Sequence, residues 1–209
     1  MVITGLGVIT PVGNTIDTFW DSLVRGRSGI RTLSRLDASI FPSKVAGEVL
    51  DFAPEAFFEP KEARRMDRFV QFAVAAADGA VKDSRLDMAA EEPERVGVLV
   101  GSGIGGLQTI EEQHAKFLQR GPRGISPFFI PMLIVDMASG LISIRHGMRG
   151  PNFCVVTACA TAAHSIGAAY YSILHDDADV FVTGGSEAAI TNTGFGGFCS
   201  MNALSTSFN

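Results

Sequence analysis

The sequence predicts an α/β fold, and three observations carry that prediction. Segments of strand character alternate along the chain with segments of helical periodicity. Two strand-type segments, "VGVLV" and "DVFVTGG", are continuous apolar runs, which is typical of strands buried in a mainly parallel sheet. The 23 glycines stand mainly where the two kinds of segment meet, and tight turns need them there.

Length and composition set the limits of that prediction. A chain of 209 residues can bury a core as one large or two small domains, and 46% hydrophobic against 19% charged residues excludes a disordered chain. The net charge of −5 provides no general attraction for nucleic acid.

The first half of the chain contains four predicted elements. The apolar spacing of the longest one repeats with a helical period, and Gly26 closes the first helix. The elements are a strand (VITGLGV, 2–8), a helix (TIDTFWDSLVRG, 15–26), a possible edge strand (KVAGEV, 44–49) and a helix (DRFVQFAVAAADGAVKDS, 67–84).

The second half continues the alternation. It predicts a buried strand (RVGVLVG, 95–101), a helix ending at Gly121 (105–121), a core helix that is apolar almost all round (131–148), a strand (NFCVVT, 152–157), a helix opened by Cys159, and a buried strand (ADVFVTGG, 178–185). A glycine-rich stretch at 193–205 follows. The most apolar part, 127–144, contains two prolines and Asp136, so we expect a buried helix there and no membrane insertion.

Cys159 stands where a β-branched strand gives way to a helix of small and apolar residues, which we expect to be buried on every side over 160–174. Unpaired N–H groups and the positive end of the helix dipole favour a thiolate at such a position. A thiolate is the form that acts as a nucleophile, and the same N–H groups would face an oxyanion on a bound acyl group. The alternative is a buried structural cysteine, the commonest role of a free thiol.

The other two cysteines, Cys154 and Cys199, are predicted to be structural. The three cysteines have no metal-ligand spacing and do not form an even set, so we expect reduced thiols, no metal site and a cytoplasmic location. The N-terminus "MVITGLGVITPVG" has no basic leader, which argues against secretion.

The stretch "GSGIGG", Gly101 to Gly106, matches a dinucleotide-binding fingerprint after a strand and before a helix. A strand-terminal acidic residue at the expected distance does not follow, so nucleotide binding is the weaker interpretation.

Several motifs, in order along the whole chain, resemble the β-ketoacyl-[acyl-carrier-protein] synthases of the elongating synthase II type. They are "ITGLGVITPVGN", "GVLVGSGIGGLQTIEEQ", "ISPFFIP", "MRGPNFCVVTACA", "DADVFVTGGSEAAI" and "GGFCSMNALST". The resemblance implies that residues 1–209 form the N-terminal half of a thiolase-like fold, a mixed, mainly parallel sheet between helix layers. The C-terminal half of such a fold would lie outside this chain.

The resemblance also implies an activity. Cys159 would carry an acyl group that is extended from malonyl-acyl-carrier protein by decarboxylative Claisen condensation in fatty-acid synthesis, with no cofactor. Ile104 and Phe198 would line the acyl pocket, and Phe129 would reach the pocket of a partner subunit in a homodimer. The two histidines that such enzymes use lie in the family's second half, so we expect no condensation by this chain alone.

The segment "PKEARRMDR" supplies four basic residues to an otherwise acidic protein, and Arg123 in "GPRGISPFF" adds a fifth. Such a run is usually a solvated helix face. By resemblance it docks the acidic acyl carrier protein, in line with electrostatic steering. Asn202 replaces a further basic residue of many family members. The predicted docking residues are Lys61, Arg64, Arg65, Arg68 and Arg123.

Two other functions compete with the synthase. A chain-length-factor subunit shares the fold as a non-catalytic partner, but it lacks the nucleophile that Cys159 supplies here. A thiolase relative acting on coenzyme A esters would carry a different motif around its cysteine, and "GSGIGG" and "ISPFFIP" favour the carrier-protein branch.

Overall fold

The computed structural model describes residues 1–207. Its helices and strands are α1 (Ile16–Val24), β1 (Ile30–Thr32), β2 (Val45–Gly47), α2 (Pro60–Ala63), α3 (Arg68–Ser84), β3 (Val96–Gly101), α4 (Leu107–Arg120), α5 (Phe129–Leu133), α6 (Met137–His146), α7 (Thr161–Leu174), β4 (Val180–Gly185) and α8 (Asn192–Ser200). Two 3-10 turns also matter for the site, Gly121–Gly124 and Ala158–Ala160.

Strands β3 and β4 form a parallel pair between two helix layers. They pair in register from Val96 opposite Val180 to Gly101 opposite Gly185. The valines of β3 belong to the main core together with α3 and α6, whereas Gly101 faces α7. Because successive residues of a strand point to opposite faces, α7 covers one face and α3 and α6 cover the other. The predicted α/β class and its helix–sheet–helix layering are confirmed.

The predicted helix ends and the edge strand are also found. Helix α1 begins with a capping box between Thr15 and Thr18, and the chain turns beyond it at Gly26, where φ is +61°. Helix α4 ends at Gly121. The edge strand is β2, which pairs antiparallel with β1 in a small separate sheet.

Two predicted strands do not form regular ladders. Residues 2–8 run along α3, with Gly5 and Gly7 closely approaching its carbonyl oxygens, and pair with no strand within the described part of the chain. Residues 152–157 bond to β3 only near their start, where the Phe153 N–H donates to the Val98 carbonyl oxygen over 3.4 Å, next to the bond from the Val98 N–H to the Pro151 carbonyl oxygen over 3.0 Å. The prediction was wrong at both places because an apolar run extends as a strand only where a neighbouring strand accepts its bonds.

One further segment differs from prediction, and another had no element predicted for it. The single core helix predicted at 131–148 is divided into α5 and α6, since the backbone is extended at Ile134 and α6 restarts after Asp136. The glycine-rich stretch at 193–205 contributes to a helix, α8, which is capped by the Thr191 hydroxyl. Among residues 1–207 no helix combines the length and hydropathy needed to cross a bilayer.

Helix α7 is not buried on every side as predicted. Thr161, Ser165 and Ala169 are buried, while Ile166 and Leu174 are exposed because nothing in residues 1–207 packs over them. The whole chain exposes 11976 Å². A folded monomer of 22.2 kDa exposes about 9,400 Å². The excess of about 2,600 Å² is well above the ~800 Å² that one partner contributes to a standard interface.

Candidate functional site

Cys159 lies in the 3-10 turn Ala158–Ala160, between the extended segment 152–157 and α7, and its side chain is exposed. The prediction that Cys159 opens the helix is therefore corrected. Cys159 lies in a short turn just before α7, whose N-cap is Ala160. Thr161 fixes this turn, because its hydroxyl accepts the Thr157 N–H over 2.9 Å while its side chain is buried.

Ala158, the residue before the cysteine, has a left-handed backbone with φ of 51°. This conformation costs a non-glycine residue roughly 1–2 kcal/mol, and alanine is the smallest side chain that could bear it. In other enzymes, strained turns of this kind expose the side chain of a nucleophile to the active site. The sequence pattern carried no signal of it.

A pocket of about 340 Å³ surrounds Cys159, and we refer to it as the Cys159 pocket. Its walls come from the loops that follow β3 and β4, from the turn Ala158–Ala160 and from α8. Ile104 and Phe198, predicted from different parts of the chain, both line it beside Cys159. Phe129 does not line the pocket; it starts α5 and is half-buried.

The loop "GSGIGG" is held by a carboxylate of the chain itself. Glu187 follows β4, and its two oxygens accept the Ser102 hydroxyl over 3.0 Å and the N–H groups of Gly103 and Ile104 over 2.9 and 3.1 Å. In a dinucleotide site a phosphate would occupy such donors. Their use by Glu187 explains the fingerprint match without a nucleotide.

Sequence reasoning missed Glu187, although a signal existed. Carboxyl ends of parallel strands meet at one sheet edge, so a residue two positions past β4 reaches the loop after β3. An acidic side chain at that position is complementary to the backbone N–H groups of a glycine-rich loop opposite it.

The other cysteines differ from Cys159 in their surroundings. Burial, together with the charge of Asp136 and a hydrogen bond to it, raises the pKa of the Cys154 thiol. Cys199 is partly buried and packs against a small second core that includes Phe41 and Phe195. All three thiols are free.

No histidine within residues 1–207 lines the Cys159 pocket. His164 hydrogen-bonds through Nδ1 to the Thr157 hydroxyl over 2.7 Å, next to the turn that carries Cys159 and outside the pocket. His146 pairs with Asp78 at 3.0 Å on α3. The same described residues hold no cluster of three or more metal-ligating acidic, histidine or cysteine side chains.

Four of the five predicted docking residues lie on the surface. Lys61, Arg64 and Arg65 are exposed at α2 and just after it, and Arg123 is exposed in the turn Gly121–Gly124. The Arg65 guanidinium sits 4.3 Å from the centre of the Phe128 ring, so the chain just after α2 contacts the residue that precedes α5.

Arg68 is placed differently. It is half-buried, donates to the Val49 carbonyl oxygen over 2.8 Å and stacks on Phe72. Burial, with the charge of Arg35 nearby, lowers its pKa to about 10. It lines a larger cavity of about 770 Å³ that shares Glu187 and Phe198 with the Cys159 pocket. A guanidinium turned inward is poorly placed to meet a carrier protein.

Comparison with known proteins agrees with this geometry. The family model of the β-ketoacyl synthase N-terminal domain matches residues 1–209. A 3-oxoacyl-[acyl-carrier-protein] synthase 2 of Coxiella burnetii is 48% identical over 206 residues, which cover 99% of this chain and 50% of that protein.

Two solved structures share the fold. The ishigamide ketosynthase/chain length factor superposes with a TM-score of 0.87 and 29% identity over 98% of this chain and 51% of its own. The AntDE:AntF complex, a type II polyketide acyl-carrier protein with its ketosynthase, gives a TM-score of 0.87 at 24% identity over 100% of this chain and 50% of its own, which shows the fold alone. This chain spans about half the length of the relatives it matches. With Cys159 lining its pocket and a family model matching from end to end, the chain belongs to the β-ketoacyl synthase family, as its N-terminal domain.

Proposed function

We propose that Cys159 is the acyl-accepting nucleophile of a 3-oxoacyl-[acyl-carrier-protein] synthase that extends fatty-acyl chains. The observation that carries the proposal is the exposed Cys159 thiol on a strained turn at a pocket walled by Ile104 and Phe198. The pocket offers a thioester both a nucleophile and an apolar surface for its chain.

The chemistry has two steps. The Cys159 thiolate attacks the carbonyl carbon of an acyl-carrier-protein thioester, and the carrier leaves as its free thiol. A malonyl-carrier thioester then loses carbon dioxide, and its enolate carbon attacks the acyl carbonyl. That attack breaks the bond to sulfur, releases 3-oxoacyl-carrier protein and returns the thiol.

Covalent loading tests the first step directly. The purified chain is incubated with an acyl-carrier-protein thioester, and intact mass followed by peptide mapping locates the acyl group. We expect a mass increase of one acyl group on the peptide containing Cys159. Acylation elsewhere with Cys159 unmodified would contradict the proposal.

The acidic carrier protein would dock on Lys61, Arg64, Arg65 and Arg123, whose exposure supports this role. We leave Arg68 out of this surface because its guanidinium points inward. Attraction between a basic patch and an acidic partner acts mainly on the association rate and weakens with salt.

Charge reversal at Arg64 and Arg65 should slow acyl loading. We expect the R64E/R65E variant to load about tenfold more slowly at low ionic strength, because steering of this kind is worth 10-fold or more in rate. The matched control K82E/R85E makes the same change in net charge at the far end of α3, where both side chains are exposed. An equal slowing in both variants would show a general charge effect and no docking surface.

We also propose a homodimer in the complete enzyme, with segment 152–157 near the two-fold axis. Its bonding to β3 on one side only and the exposed Phe153 and Val156 support an isologous contact there. Light scattering of the complete enzyme at micromolar concentration should give the mass of a dimer, and a monomer would refute the arrangement. The cytoplasmic location stays a prediction.

A further inference from the structure

The Glu187 carboxylate joins the two loops of the Cys159 pocket, next to a backbone bond from the Ser186 N–H to the Gly101 carbonyl oxygen. Three hydrogen bonds link it to the Ser102 hydroxyl and to the N–H groups of Gly103 and Ile104, at 2.9 to 3.1 Å. Ser102 extends the set, because its buried hydroxyl also accepts the Gly105 N–H over 3.0 Å. One side chain therefore organises four consecutive loop residues.

The loop is anchored at its far end, where the Gly106 N–H donates to the Leu133 carbonyl oxygen over 3.1 Å, whereas Glu187 is the acceptor for the N–H groups of Gly103 and Ile104. Gly105 has φ of +77°, and the N–H groups of Gly103 and Ile104 converge on one point, as in the backbone nests that bind anions. An anion removed from such a nest leaves its N–H groups without an acceptor. The loop conformation thus depends on the carboxylate.

The loop is also pressed against the turn that carries Cys159. A Cβ atom at Gly103 would meet both Glu187 Oε2 at 2.9 Å and the Ala158 carbonyl oxygen at 3.3 Å. The carboxylate and the turn that carries Cys159 therefore both pack closely against Gly103. Moving Glu187 away would free the loop to withdraw from that turn.

The position of this loop affects the Cys159 pocket through Ile104. Its N–H donates to Glu187, and its side chain forms part of the pocket wall beside Cys159. We propose that Glu187 is a positioning residue for acyl-chain selectivity, because it holds Ile104 in the wall against which the chain packs. This inference rests on the proposed function, which makes the pocket an acyl site.

Glu48 provides a matched comparison within the same chain. Its buried carboxylate accepts the same set of donors, one serine hydroxyl and two backbone N–H groups, from Ser34 and Arg35 at 2.8 to 2.9 Å. Glu48 does not line the Cys159 pocket. Glu187 is exposed whereas Glu48 is buried. If both carboxylates acted only through stability, substitution of Glu48 would destabilise the chain at least as much as substitution of Glu187 and would change reagent discrimination at Cys159 at least as much.

The experiment measures how Cys159 discriminates between reagents of different chain length. Rates of alkylation by iodoacetamide and by N-octyl iodoacetamide are followed by peptide mass mapping, and their ratio is compared among wild type, E187A, E187Q and E48Q. Urea unfolding of each variant reports its stability. Because alkylation needs no carrier protein, the ratio is independent of acyl transfer.

We expect E187A to lower the octyl-to-short rate ratio about tenfold, the lower end of what one pocket methylene is worth in discrimination. E187Q keeps an oxygen acceptor for the Gly103 and Ile104 N–H groups, so it should recover part of the ratio. E48Q should lower the urea midpoint and leave the ratio unchanged.

An unchanged ratio in folded E187A, or in E187Q if E187A does not fold, would overturn the proposal. The same fall in E48Q would overturn it as well, since the effect would then follow lost stability. Failure of wild-type Cys159 to load from a carrier-protein thioester would refute the proposed function alone, and the alkylation ratios would still measure how Glu187 shapes the pocket.

Discussion

Replacing Cys159 with alanine should abolish covalent acyl loading from a carrier-protein thioester. Cys159 is the exposed one of the three cysteines, and it lines the Cys159 pocket. An alanine there keeps the turn, because alanine already flanks it on both sides and no hydrogen bond of Thr161 is touched. The loss would therefore reflect chemistry and not folding.

The control is Cys154→Ala, which removes a second thiol only five residues away. Burial and Asp136 raise the pKa of Cys154, so at neutral pH this group stays a thiol and is a poor nucleophile. We expect C154A to load as the wild type does, measured by intact mass over the same time course. Loading that survives in C159A, or is lost equally in both variants, would overturn the assignment.

The second large effect concerns condensation by the 209-residue chain on its own, for which we expect no product. Loss of carbon dioxide from a malonyl group leaves an enolate that needs positioned donors. No histidine of the described residues lines the Cys159 pocket. Each such donor is commonly worth roughly 3–4 kcal/mol, so the lack of two lowers the rate by several orders of magnitude.

The assay supplies acyl- and malonyl-carrier protein to the purified chain and follows 3-oxoacyl product by mass spectrometry. Loading of Cys159 serves as the internal control, because it should proceed where condensation does not. Turnover comparable to that of a full-length relative, such as the Coxiella burnetii protein, would show that the catalytic groups have been assigned wrongly.

Sequence patterns predicted well wherever a segment makes its contacts within the chain. The valines of β3 are buried by α3 and α6, and Gly121 ends α4 through its own backbone freedom. Residues 2–8, segment 152–157 and the outer side of α7 were predicted wrongly for a common reason. The apolar residues of these segments imply packing partners that residues 1–207 do not provide. A hydrophobic pattern predicts that a segment is buried, but it does not identify the element that covers it.

The site divides in a similar way. Cys159 could be found from its position between a strand and a helix, and Ile104 and Phe198 followed from family resemblance before the structure brought them to the same pocket. Glu187 and the left-handed backbone of Ala158 could not, since one depends on which strands are neighbours and the other on a backbone angle. Arg68 could not be placed from the sequence either, since a basic run predicts exposed charges whereas this side chain is half-buried and stacks on Phe72.

The uncovered surface of this chain also affects how its unfolding will look in a calorimeter. The increase in heat capacity on unfolding grows with the apolar area that becomes exposed to water, and the urea m-value grows with the total area that becomes exposed. With Ile166, Leu174 and Val156 in water before unfolding starts, both quantities fall below those of an ordinary 209-residue domain. Its transitions will therefore be broad and its stability curve flat, which is the thermodynamic signature of an incomplete core and not of a disordered chain.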